Sequence, residues 1–377
     1  MIMNKNIPVS SNRPILKSSN LLKLFSGKKV LVTGHTGFKG TWLCLWLEML
    51  GAKVIGYSID IPTKPSLFEL TNPKCIDIRG DIRDFKNLNS VVKKYKPEII
   101  FHLAAQPLVR TSYKETLDTY QSNVMGTANI LETLKYNKCV KAVVAITTDK
   151  VYLNNETGKT FKESDPLGGY DPYSASKAAC EIVISSYRDS FFNVKDYGKK
   201  HNVLIASARA GNVIGGGDFA KDRLIPDFIR AILSKKDLKI RNPQAIRPWQ
   251  HVLEPLSGYL MLGANLLKGK KEFAQGWNFG PEKKDTKTVE EIVKIMCQNF
   301  DNKIKYNIDK AEQPHEAHYL KLDITKAKKY LKWKPRWTAK TALDKICDWT
   351  KAYQQKKDMR KVCIEQIQDF CKTKKTQ

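Results

Sequence analysis

No apolar run in this chain approaches the ~20 residues that a membrane-crossing helix needs. The longest near its start, Trp42-Leu43-Cys44-Leu45-Trp46-Leu47, is far shorter. Residues 1–26 are polar with scattered Ile and Leu, and lack the continuous apolar region and small-residue cleavage site of a secretory signal. A cytoplasmic protein with no membrane partner is expected. The eight cysteines form no CxxC and stand at no metal-ligand spacing with the six histidines. Reduced structural thiols are expected, with neither a disulfide framework nor a metal site. Acid is also scarce: 38 Asp and Glu face 65 Lys and Arg, a formal net charge of +27. Such a balance suits nucleic acid or an anionic substrate. The lysines, however, come in ones and twos, as at Lys93-Lys94 and Lys328-Lys329, without a dense arm or interleaved aromatics. A solvated basic surface is expected and a nucleic-acid partner is not.

What is present is an ordinary globular composition, 42% apolar and 27% charged over 377 residues, enough for one or two domains. From Lys28 to beyond residue 200, short apolar runs alternate with helical patterns, as in a parallel sheet covered by helices. Strands are expected at Lys29–Thr33, Lys53–Ser58, Ile76–Arg79, Ile99–Leu103, Ala142–Thr148 and Val203–Arg209. Helices are expected at Phe38–Leu50, Leu88–Tyr95, Thr116–Lys135 and Pro172–Ser190. Beyond Arg209 the character changes to a glycine loop, further helices and short strands. The expected fold class is α/β: a Rossmann-type doubly wound parallel sheet with a smaller, discontinuous substrate-binding lobe. The boundaries read as an extension at 1–26, a nucleotide-binding domain at 27–210 with a return through about 250–280, a lobe at 211–249 and 281–355, and a frayed basic tail at 356–377.

Three stretches carry chemistry. Gly34-His35-Thr36-Gly37-Phe38-Lys39-Gly40 follows the first strand and opens the first helix. Glycines there let the backbone approach a pyrophosphate that the helix N-terminus favours, so Gly34, Gly37, Phe38 and Gly40 are candidate dinucleotide ligands. The second strand ends in Tyr57-Ser58-Ile59-Asp60 without an arginine, which favours NAD over NADP, with Ser58 at the ribose and no strong carboxylate clamp. Asp81, with Ile82, can serve the adenine end, or can equally be a surface turn. Thr147-Thr148-Asp149-Lys150 ends the fifth apolar run and delivers hydroxyl, carboxylate and amine where open α/β sheets bind their ligands. Tyr173 and Lys177 lie four apart, on one helical face, with about 5–6 Å between Cβ atoms. An ammonium there favours the phenolate, suiting the tyrosine to proton transfer in an alcohol oxidation.

Gly34-xx-Gly37-xx-Gly40, His102-Leu103-Ala104-Ala105, Asn123 and Tyr173-xxx-Lys177 resemble the extended short-chain dehydrogenase/reductase superfamily. Thr148-Asp149, Arg209-Ala210-Gly211-Asn212, Arg223-Leu224-Ile225-Pro226 and Ile246-Arg247-Pro248-Trp249 resemble its nucleotide-sugar 4,6-dehydratases. His35 to Gly40, Gln106 to Arg110, Gly168 to Tyr173 and Pro314-His315-Glu316-Ala317-His318 are similar to the branch that acts on CDP-glucose. The resemblance runs from about Gly27 to Trp337. It implies a hydro-lyase that uses NAD to oxidise C4, eliminates water across C5 and C6, and returns the hydride to C6. The product is a 4-keto-6-deoxy sugar, a precursor for a surface polysaccharide. Tyr173, Lys177 and Thr148 are implied in the oxidation, and Leu103, Ala104 and Ala105 at the cofactor. Gln106, Asn212, Arg223, Arg247 and His315 are implied at the nucleotide-sugar, and a homodimer through the Thr116–Lys135 and Pro172–Ser190 helices. Lys150 departs from the Thr-Asp-Glu of the dTDP-glucose enzymes. By analogy Asp149 is the acid and Lys150 the base, but a pair sharing one proton, with Lys150 as acid, stays open. An epimerase or reductase of the superfamily, acting without water loss, is the competing enzyme class. A dinucleotide-sensing regulator is the competing class without catalysis.

Overall fold

The computed structural model describes residues 18–301, 304–309 and 319–373. Six strands, β1 (Lys29–Thr33), β2 (Lys53–Ser58), β3 (Ile76–Arg79), β4 (Ile99–His102), β5 (Ala142–Ile146) and β6 (Leu204–Ala210), and a seventh, β7 (Gly276–Phe279), form one sheet. Its order is β7-β6-β5-β4-β1-β2-β3, and every pairing is parallel. β4, β5 and β6 are buried along their whole length. Ile, Val, Leu and Ala dominate them because both faces are covered by helices. The order reverses beside β1, between β4 and β2, and the carboxyl ends on either side of that point open onto a crevice.

Helix α1 (Phe38–Met49) follows β1 and is buried on all sides from Gly40 to Leu47, which explains its nearly continuous apolar sequence. Helix α2 (Pro172–Ser190) is capped by Asp171, whose carboxylate accepts from Ser174 N at 2.9 Å and Ser174 Oγ at 2.5 Å, with Pro172 in the first turn. Between these helices the run Thr116–Tyr136 is helical throughout, with a π turn at Gln121–Met125. After β6 the chain leaves the sheet. Helix α3 (Leu224–Ser234) packs with Ile292, Met296, Leu343 and Ile346 in a core separate from the two that cover the sheet. The chain then returns: helix α4 (Leu253–Leu267) lies against β5 and β6, and β7 pairs with β6.

One expectation is corrected, and the N-terminal extension gains a buried helix. The expected frayed tail carries helix Met359–Lys372, whose Met359, Cys363, Ile367 and Phe370 are buried in the core that includes α1. Apolar side chains every three to four residues give it a buried stripe despite its charge. The expected polar extension carries helix Ser18–Phe25, with Leu21 and Phe25 buried in the same core. All eight cysteines are free thiols, and among the described residues no helix is long and apolar enough to cross a membrane.

Candidate active site

A cleft of about 510 Å³ runs along the carboxyl ends of the strands, between the glycine loop and the segment that includes α3. At one end Gly34 has φ +71°, and a Cβ on it would meet Ala104 N at 2.8 Å. A Cβ on Gly40 would lie 2.1 Å from Gly34 O, so α1 closes against β1 only because that side chain is missing. Gly37, Phe38, Ser58, Leu103, Ala104 and Ala105 also line this half. The Ser58 hydroxyl meets His35 Nδ1 at 2.8 Å, and His35 Nε2 meets Asp77 at 2.9 Å. Burial holds the His35 imidazole below its usual pKa, against the pull of Asp77. Asp60 lines the cleft next to Ser58, so a carboxylate does stand at this end, displaced beyond the strand.

The central wall is built by β5 and α2. Where β5 ends, a short 3₁₀ turn at Asp149–Val151 swings Asp149 and Lys150 toward the cleft. Thr148 Oγ1 donates to Asp149 Oδ1 at 3.0 Å and accepts from Lys150 N at 3.4 Å. Asp149 is 1% exposed and, among the described residues, its Oδ2 has no partner. That oxygen has room because Gly211 lacks a side chain, whose Cβ would sit 2.9 Å away. Tyr173 hydrogen-bonds Thr148; burial pushes its phenol up to about 12, while Thr148 and Arg223 pull it down and Asp149 adds to the rise. Lys177 Nζ donates to Ile146 O at 3.3 Å, and burial lowers its pKa. Thr148, Asp149, Lys150, Tyr173 and Lys177, all singled out from the sequence, line this one cleft.

Polar struts hold this wall. Glu181, one turn beyond Lys177, receives Arg209 Nε and Nη2 at 2.9 Å each, Thr147 Oγ1 at 2.5 Å and Ser207 Oγ at 2.6 Å. Burial raises the Glu181 carboxyl, but Arg209 and the hydroxyls outweigh it and leave the pKa lowered. Asn123, in the π turn, donates to Ser176 Oγ at 2.8 Å and Gln106 O at 3.1 Å, fixing α2 against the loop after β4. Glu181 was not singled out from the sequence. Its signal was its place one turn after Lys177, facing the same buried wall.

The far half holds Asn212, Arg223 and Arg247. Arg223, at the start of α3, pairs with the buried Asp218 at 3.1 Å. Arg247 is 6% exposed and donates to Ile246 O at 3.1 Å. Three expected residues are not brought to the cleft. The Asp81 carboxylate is engaged by Arg83, through Nε at 2.8 Å and Nη2 at 2.6 Å, and Ile82 is buried beside it. The Gln106 amide is spent on Leu108 O at 3.1 Å and Thr119 Oγ1 at 2.9 Å. His315 lies outside the described residues. Lys39, by contrast, was passed over as part of the glycine loop, yet it faces the cleft.

A family model described as GDP-mannose 4,6 dehydratase matches residues 31–346. The chain is 51% identical to CDP-glucose 4,6-dehydratase of Salmonella typhimurium, over 92% of this chain and 97% of that protein. The chain belongs to this dehydratase family. It is also 28% identical to dTDP-glucose 4,6-dehydratase of Haemophilus influenzae, over 85% of this chain and 97% of the other. Among solved structures, dTDP-glucose 4,6-dehydratase of Bacillus anthracis in complex with NAD shares the fold, with a TM-score of 0.71 at 23% identity, over 87% of this chain and 98% of that one.

Proposed function

We propose that this protein is an NAD-dependent hydro-lyase that converts CDP-glucose to CDP-4-keto-6-deoxyglucose and water. The observation that carries the reading is one cleft wall holding Tyr173, Lys177, Thr148, Asp149 and Lys150 together, with the free Asp149 oxygen at its centre. The 51% identity to a CDP-glucose 4,6-dehydratase supports the cytidine nucleotide. The residues fit NAD: the close approach of Gly34, Gly40 and Ala104 makes a cradle that any Cβ would fill. Gly34, Gly37, Phe38 and Gly40 would hold its diphosphate, Ser58 and Asp60 the adenosine side, and Lys177 the nicotinamide side. When bound, NAD supplies a reversible two-electron oxidation at a sugar carbon.

The chain's own groups handle protons and position. Tyr173 takes the proton from the sugar O4, and Thr148, hydrogen-bonded to it, steadies that oxygen. The burial that raises the phenol must be offset when substrate is present, and the cations Lys177 and Arg223 favour the phenolate. Once C4 is a ketone, the C5 proton is acidic. Asp149 and Lys150 then act on opposite ends of one elimination: one removes the C5 proton, the other protonates the departing O6 as water leaves. We assign Asp149, entering the step as its protonated carboxyl, to O6 and Lys150, entering as its neutral amine, to C5. The Asp149 side chain is the deeper of the two, and its Oδ2 is unpartnered among the described residues. Once water has left, Asp149 is a carboxylate and Lys150 an ammonium. Arg223, Arg247 and Asn212 would meet the nucleotide diphosphate. The protein would work in the cytoplasm as a homodimer. Leu117 (77% exposed), Met125 (54%) and Ile182 (59%) lie on contacting helices and suit a second copy. Tyr173→Phe tests the oxidation step. The variant should bind CDP yet lose at least a hundredfold in turnover; near-normal turnover contradicts the assignment.

A further inference from the structure

Of the carboxylates that line the far half of the cleft, Asp218 and Asp227 are spent on close partners. Asp218 is bound to Arg223 at 3.1 Å and to Ala220 N at 3.1 Å. Asp227 pairs with Arg230, one turn along α3. Asp222 is held differently. It stands just before Arg223 with φ +60°, a left-handed conformation that Asp and Asn tolerate better than most side chains. Its side chain is 46% exposed, and its Oδ1 lies 3.4 Å from Arg241 Nη1 and 3.7 Å from Arg110 Nη1. Both separations exceed a normal N–H···O bond, so the carboxylate keeps acceptor capacity for a further donor. Arg241 follows the short strand Leu238–Ile240, and its Nη2 donates to Asp222 O at 3.1 Å. That bond fixes the guanidinium beside the carboxylate, on the lining of the same cleft.

The order of groups along the cleft suggests what the pair meets. Tyr173 and Asp149 stand at the sugar and Arg223 at the diphosphate, so the nucleobase lies one step further, where Asp222 and Arg241 are. We propose that Asp222 and Arg241 read the nucleobase of the substrate and select cytosine over uracil. The inference rests on the cytidine nucleotide-sugar reading above. The pairing edge of cytosine presents an N4 amine that donates, with N3 and O2 that accept. In uracil O4 accepts and N3–H donates, so the pattern reverses at those positions. A carboxylate only accepts and a guanidinium only donates. Side by side they match cytosine, with the carboxylate at N4 and the guanidinium at N3 and O2. Uracil would set O4 against the carboxylate and N3–H against the guanidinium. Selectivity then comes from the base repelled as much as from the base accepted.

Titration calorimetry of the NAD-loaded protein with CDP and with UDP, which differ only at that edge, gives the selectivity as a ratio of affinities. Wild type should bind CDP at least about tenfold more tightly than UDP. Asp222→Asn keeps a residue that tolerates the left-handed backbone, removes the charge and offers an amide N–H to O4. It should bring the two probes within about threefold of each other, weakening CDP and strengthening UDP. Arg241→Met should weaken CDP more than UDP, because UDP has no acceptor at N3. A pair that merely ties the loop before α3 to the strand would, when broken, weaken both probes equally. An unchanged ratio in Asp222→Asn overturns the proposal, and so does a wild type that binds both probes alike. If the asparagine variant does not hold NAD, the ratio in Arg241→Met decides, and equal weakening there overturns the proposal. Wild-type protein that binds neither CDP nor UDP contradicts the proposed function itself, an outcome distinct from loss of selectivity.

Discussion

At the scale of single residues, the site depends on where unpaired charge is left. Asp149 and Lys150 sit side by side on one turn, but only Asp149 is sealed in, and only it leaves an acceptor without a donor. Lys150→Ala should therefore leave C4 oxidation intact, seen as reduced nicotinamide absorbance, and stop exchange of the C5 proton with solvent. Normal deuterium uptake at C5 in that variant would refute its role as base. The Tyr173 and Lys177 pair was readable from spacing alone, because a helix forces positions i and i+4 onto one face. The fates of Asp81 and Gln106 were not readable. Their side chains are spent on Arg83, two residues away, and on Thr119, thirteen residues away, and chain folding alone decides those pairings.

At the scale of elements, β1, β2 and β3 begin and end where the sequence indicates, since each is a short run bounded by a turn or a helix signal. β5 stops two residues before the expected end. Thr147 N still donates to Ala208 O of β6 at 2.9 Å, and Thr148 then leads straight into the 3₁₀ turn at Asp149–Val151, which brings Asp149 and Lys150 to the cleft. β7, Gly276–Phe279, carried little signal: four residues, none β-branched, recognisable as a strand only through its pairing with β6. The Thr116–Tyr136 run and α2 bear the exposed Leu117, Met125 and Ile182. Replacing Leu117 and Ile182 together by Glu should convert a dimer to monomer in sedimentation velocity, with folding retained because both side chains face solvent in the protomer. A monomeric wild type, or a variant that still sediments as a dimer, would contradict pairing through these helices.

At the scale of the whole molecule, three buried titrating groups shape stability against pH. Burial first, then nearby lysines, lower His102 and His251 to about 3, whereas unfolded histidine titrates near 6.5. Below about pH 6.5 the unfolded chain binds these protons and the folded chain does not. Stability is then lost by about 1.4 kcal/mol per pH unit for each. Burial raises Glu254 to about 8, against the pull of the Trp337 and Arg336 amides. Between about pH 4.5 and 8 it stays protonated when folded, so it destabilises as pH rises and offsets one histidine as pH falls. Unfolding free energy from urea titrations should peak near pH 6–7 and decline on both sides, through the histidines below and Glu254 above. Glu254→Gln should remove the alkaline decline; a wild-type profile already flat from pH 6.5 to 8 would contradict this assignment. Glu254, in α4, accepts from the Arg336 and Trp337 backbone N–H groups at 2.9 and 2.7 Å and so ties the returning chain, which the sequence reading puts at about 250–280, to the segment after Lys332. The proposed net reaction of this architecture is loss of water without an external reductant. Purified protein incubated with NAD and CDP-glucose in heavy water, with dTDP-glucose in parallel, tests it by product mass. The expected result is a CDP-sugar lacking one water and carrying one solvent deuterium at C5. Substrate returned intact, or epimerised without water loss, would contradict it.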